Sequence, residues 1–144
     1  WEFVRILPPP DPSRRPGLLK GADLLFLPER FEEESVKTVE LSVSTKAQMF
    51  MMAGRPILVY GHPRAGIVRY AKEYGWAEVV DHQGDDPLCD GIAEALSEPR
   101  SRVRTAEKVF SEHHEAAAVR AEMRERMLAL HLRRDAAGRG GRRR

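Results

Sequence analysis

Apolar residues fall along this chain in two rhythms. Four short runs, WEFVRIL (1–7), DLLFL (23–27), ILVY (57–60) and WAEVVD (76–81), are dense in branched, aromatic and leucine side chains. They predict strands, the first ended by Pro8-Pro9-Pro10 and the second by Pro28, and the two continuous runs suit strands covered on both faces. Between them the spacing turns helical. Pro12 can open a short helix that Gly17–Gly21 closes; Ser42 or Ser44 can cap a second that stops at Gly54; Ile67, Tyr70, Ala71 and Tyr74 form the inner face of a third, stopped by Gly75. Asp86 followed by Pro87 predicts a fourth start, with Leu88, Ile92 and Leu96 on one face. Beyond Pro99 come two stripes, Val103, Ala106 and Phe110, then Ala116, Val119, Met123, Met127 and Leu130, meeting at a kink or change of partner near His113-His114.

Strands alternating with helices predict an α/β fold, a Rossmann-like open parallel sheet with flanking helices and a long C-terminal helix. The expected division is a Rossmann-like domain over 1–98, the long helix packing on or across it over 99–132, and a disordered Arg/Gly tail over 133–144. Glu29 to Lys37, with five charges in its first six residues, predicts an exposed loop. Open parallel sheets bind ligands beyond the carboxyl ends of their strands. That loop, the start of the Ser44 helix and the loop His62–Gly66 all fall on this edge.

Composition narrows the class. Of 144 residues, 42% are hydrophobic and 32% charged, which suits a chain with long solvated helices. The net charge is +2, and the basic surplus gathers at the C-terminus. The single cysteine, Cys89, excludes an intramolecular disulfide and a Cys-rich metal site, fits a reducing cytoplasmic setting, and is expected as a small core residue. No apolar run approaches the roughly 20 residues of a membrane span. Adjacent histidines at 113 and 114 point about 100° apart on a helix, so no metal site is expected. The arginine tail lacks an aromatic platform, and no specific nucleic-acid function is expected of it. The first residue is Trp1 rather than Met, and a fragment of a longer protein is expected.

Lys46 supplies the candidate chemistry. It lies in the first turn of its helix, where a cation is disfavoured by a few tenths of a kcal/mol up to about 1. An anion there reverses the sign. The free N–H groups of Ser44, Thr45 and Lys46, two hydroxyls and an ammonium would make a phosphate cradle. A solvated lysine on a short helix is the plain alternative. Arg64 could hold a phosphate or carboxylate on the same edge, or be a solvated loop arginine.

Four segments in order, DLLFLP (23–28), STK (44–46), MMAGRPIL (51–58) and GWAEVVD (75–81), resemble the C-terminal domain of glycosyltransferases of the GT-B fold. They are most similar to the retaining "group 1" or family 4 enzymes, over about residues 1–132. The resemblance implies a partial C-terminal GT-B domain that binds a UDP- or GDP-linked sugar, without metal or cofactor. It implies glycosyl transfer to a glycan or lipid-linked acceptor held by a missing N-terminal domain, which leaves peripheral membrane association open. The donor diphosphate would meet Ser44, Thr45 and Lys46, with Glu29, Met49, Gly54 and Arg64 as further contacts. No protein nucleophile is implied, because the donor's own phosphate is thought to assist the acceptor hydroxyl. Met49 departs from the pattern, since the family commonly has a ribose-binding glutamate there. Glu32 and Glu40 have the spacing of its paired glutamates, but Glu40 precedes the helix and is out of register with Gly54, so that spacing is expected to be accidental. The first two strands of the donor domain are also expected to be missing upstream; the usual sheet order would place them between the strands at 1–7 and 23–27, so the chain is expected to expose sheet edges. A non-catalytic Rossmann-like module that docks on a partner is the alternative.

Overall fold

The structure, a computed structural model, describes residues 4–140, with side chains through His131. Its centre is a three-stranded parallel sheet in the order β1-β2-β3, formed by β1 (Leu25–Pro28), β2 (Ile57–Tyr60) and β3 (Glu78–Val80). Leu25 stands opposite Ile57, and Leu58 opposite Glu78. A turn of 3-10 helix (Pro12–Arg14) and α1 (Arg15–Lys20) precede β1; α2 (Glu33–Val39) and α3 (Thr45–Met51) carry the chain to β2, and α4 (Gly66–Tyr74) to β3. Then come α5 (Asp85–Ser97), α6 (Pro99–His113) and α7 (Ala116–Gly140). This is an α/β arrangement of a small open parallel sheet with flanking helices. The chain forms two compact units, Trp1–Val109 and Phe110–Arg144.

Side chains that alternate along each strand sort the core. Leu25 and Leu27 are buried on one face of β1, where α3 packs. Phe26 points the other way, level with Leu58. Helix α5 covers Leu58 and Val80 through Gly91, whose added Cβ would lie 2.2 Å from Val80 Cγ2 and 3.4 Å from Leu58 Cδ1. The cover ends before β1. Phe26 is therefore 43% exposed, and β1 is half covered where cover on both faces is expected. On α4, Ile67, Val68 and Ala71 are buried, and Gly75 ends the helix at φ +65° with its N–H on the Ala71 carbonyl.

Several expectations need correction. Val4–Leu7 form no strand, and Ile6 is 94% exposed; Pro8–Pro10 lack the N–H groups that would carry a ladder forward. The remainder of that expected strand, residues 1–3, lies outside the described residues. The expected loop over 29–37 contains α2 instead: Glu33 and Glu34 suit its first turn and Lys37 its last, while Val36 is fully buried. Helix α5 starts at Asp85 rather than after an Asp86 cap, and it buries Gly91 and Ala95 while Leu96 is exposed. Two small residues bring this helix closer to the sheet than a leucine face would. That rotation leaves Cys89 exposed rather than in the core. Helix α7 runs on to Gly140 over part of the expected disordered tail (133–144), consistent with good helix formers at Arg133, Arg134, Ala136 and Ala137; residues 141–144 of that tail lie outside the described residues.

Candidate functional site at the carboxyl edge of the sheet

The first two strands end in crossed backbone contacts. Glu29 N–H donates to the Tyr60 carbonyl at 2.7 Å, and Gly61 N–H to the Val80 carbonyl at 3.1 Å. A Cβ at Gly61 would come 2.7 Å from Glu29 Cβ, so the loops after β1 and β2 approach as closely as glycine allows. Phe31 packs edge-on against Tyr60 with ring centroids 4.9 Å apart, and Phe26 lies 6.1 Å from the same ring. This aromatic cluster was not among the expected site residues. Its signal is Phe26 within β1, Phe31 just beyond it and Tyr60 at the end of β2.

Helix α3 runs back from this edge. Ser44 is its N-cap, with φ −58° and ψ 128°, and its hydroxyl makes no capping hydrogen bond. The first N–H groups of a helix have no intrahelical acceptor, so those of Thr45 and Lys46 point outward from the start of α3. Lys46 is exposed and has no ion-pair partner among the described residues. Met49 lies one turn below Thr45, is 41% exposed, and lines an apolar groove of about 290 Å³ with Pro12, Pro16, Leu19, Met52 and Ala53. Gly54 is elsewhere. At φ +66° it turns the chain into the amino end of β2, a helix length of about 10 Å from Ser44.

Arg64 is committed to carboxylates. Its Nη1 donates to Glu33 Oε2 at 3.1 Å, and its Nε and Nη2 donate to the two oxygens of Glu40 at 3.3 Å each. Arg69 Nη2 adds a 2.6 Å bond to the Glu40 carbonyl. His62 Nδ1 accepts the Arg64 N–H at 3.1 Å, and its Nε2 lies 3.9 Å from Glu33 Oε1. The Arg64 hydrogen bond and charge hold the Glu40 carboxyl below its ordinary range, and Glu40 in turn raises the guanidinium. The α2–α3 linker is thereby tied to the start of α4, where a Cβ on Gly66 would strike the Ser42 carbonyl at 2.4 Å.

Beyond β3, Asp81 accepts from Lys72 Nζ at 2.5 Å and lies 2.8 Å from His82 Nδ1; the lysine bond lowers the Asp81 pKa. Burial pushes the Tyr70 phenol up to about 12. Among the described residues, no group of three His, Cys, Asp or Glu side chains is placed to hold a metal ion.

Glu29, the start of α3 at Ser44, Thr45 and Lys46, and Arg64 thus all follow the carboxyl ends of β1 and β2 or the linker tied to them, with Met49 further along α3 and Gly54 at the opposite end. Among the described residues, Lys46 makes no ion pair, and neither does Arg30 after β1. No family model, curated protein or solved structure matches this chain.

Proposed function

We propose that this chain is the donor-binding domain of a nucleotide-sugar-dependent glycosyltransferase, with the diphosphate of a UDP- or GDP-linked sugar held at Ser44, Thr45 and Lys46. The carrying observation is the unpaired Lys46 ammonium beside free helix N–H groups on the carboxyl edge of a parallel sheet. Arg64 shapes this cradle instead of binding donor, because its guanidinium is held between Glu33 and Glu40. The nucleoside would extend along α3 towards Met49, which can pack against a base but cannot accept hydrogen bonds from ribose hydroxyls as a carboxylate does. The acceptor would be a glycan or lipid-linked glycan presented by a facing domain. The donor phosphate, left next to the reacting carbon, would take the acceptor proton.

A thermal-unfolding scan with excess UDP or GDP tests the reading. Ligand at about 100 times its dissociation constant adds roughly 2.7 kcal/mol to native stability. The midpoint should rise with one of the two nucleotides, and Lys46→Ala should abolish the rise. A rise of equal size in the variant, or none in the unmodified chain, removes the cradle.

The second reading, a non-catalytic docking module, is favoured by the groove around Met49 and Met52. Its lining is largely apolar, and the Met49 position lacks the carboxylate of the similar enzymes. An unmodified chain that unfolds cooperatively and ignores both nucleotides would support it.

A further inference from the structure

Helix α7 carries a stripe that nothing in its own unit covers. At about 100° per residue, Ala116, Val119, Met123, Met127 and Leu130 fall along one side. The larger four are exposed, Met127 to 66%. Arg120 and Arg124 flank the stripe on one side and Arg126 on the other, where it pairs with Glu122 at 2.5 Å. Glu125 falls on the far side of the helix. Charge is segregated along the chain in the same sense: residues 116–144 hold nine arginines against three acidic residues, whereas the rest of the chain is net −4.

We propose that α7 lies in the interface of a membrane rich in anionic lipid, with the stripe sunk below the headgroups and the flanking arginines on the phosphates. An apolar strip bordered by cations that can reach upward, with Glu122 neutralised by Arg126 and Glu125 on the far side, is the layout such helices need. Two other occupants fit less well. Single-stranded nucleic acid is bound by stacking on aromatic rings, and residues 116–144 contain none. A second copy packed antiparallel through the stripe would set the Arg120–Arg124 flank against its own like charges. The helix does not cross the bilayer: among the described residues no helix is long and apolar enough to do so.

The test is flotation of the full chain with vesicles of phosphatidylcholine alone, or of equal parts phosphatidylcholine and phosphatidylglycerol. The chain should float with the mixed vesicles and about tenfold or more less with the neutral ones. Arg120→Gln and Arg124→Gln should each weaken binding about fivefold. Met123→Gln with Met127→Gln, which keeps charge and helix propensity, should weaken it about tenfold or more. Circular dichroism checks that the helix survives, and the comparison of the two vesicle types in the unmodified chain decides the matter even if a variant misfolds. Equal binding to both vesicles, binding indifferent to the methionine pair, capture of polyuridylate in place of vesicles, or a dimer that the methionine pair dissociates would each overturn the proposal.

Discussion

Arg64 reaches both carboxylate oxygens of Glu40 across 24 residues of sequence, at 3.3 Å each. The pair joins the end of α2 to the loop that opens α4, and so fixes the linker from which Ser44 and Lys46 emerge. Arg64→Gln should lower the unfolding midpoint by only about a few degrees, since half-exposed ion pairs contribute modestly. It should leave Lys46-dependent nucleotide stabilisation largely intact. A complete loss of nucleotide response in Arg64→Gln with unchanged stability would instead make Arg64 a ligand.

The same pair sets a pH dependence. The Glu40 carboxyl is held below its ordinary value of 4.5, chiefly by the Arg64 hydrogen bond, and Lys72 depresses Asp81 in the same sense from 3.8. A carboxyl depressed in the folded state binds fewer protons than in the unfolded chain. Its stabilisation is present above the unfolded pKa and is lost as pH falls through the lower folded value. Unfolding midpoints should therefore hold from pH 7 to about 5 as far as these groups are concerned, then fall towards pH 3, less steeply in Glu40→Gln. A variant with an unchanged acid limb would show that the pair contributes nothing.

Met49 allows a gain of function to be sought. Its side chain lies on α3 below the proposed diphosphate cradle, in an apolar groove. Met49→Glu would offer ribose hydroxyls a charged acceptor, an interaction of about 1.5–3 kcal/mol, or roughly tenfold or more in affinity. Isothermal titration with UDP and GDP reads this directly. Unchanged or weaker binding would mean that the nucleoside does not pass this position.

How much of this was legible beforehand depended on the kind of signal. The central strand Ile57–Tyr60 and the Gly75 stop were plain, because a short apolar run and an αL glycine are local statements. Helix α2 was obscured by its charge: Glu33, Glu34 and Lys37 resemble a solvated loop until Val36 is found in the core. Arg64 was visible as a cation on the ligand edge, but its carboxylate partners come from 24 and 31 residues away. The Val4–Leu7 run shows the reverse failure. Strand propensity is realised only with a neighbour to pair with, and this segment has none among the described residues.

Trp76 is fully buried, 5.9 Å from the Tyr70 ring, and its Nε1 meets no acceptor among the described residues. The indole therefore contributes packing while its donor is a cost. Trp76→Phe should change stability by no more than about 1 kcal/mol, as lost volume offsets the removed donor; Trp76→Ala should cost about 3–5 kcal/mol. Urea unfolding measures both. A large loss in the phenylalanine variant would point to a buried water that satisfies the indole N–H.

Gly91 lets α5 sit directly on β3. In an exposed helix interior, alanine would be worth about 1 kcal/mol more than glycine. Here the added methyl would meet Val80 Cγ2 at 2.2 Å, inside any real contact, and the neighbouring Leu58 leaves little room to shift. Overpacking should dominate, so Gly91→Ala should destabilise by about 1–3 kcal/mol net. Val80→Ala opens the space that methyl would need, and the double variant should be more stable than the sum of the two losses by about 0.5–3 kcal/mol. Additive losses in urea unfolding would mean that α5 moves off the sheet as a body, and that the helix is less tightly seated than its contact with Val80 implies.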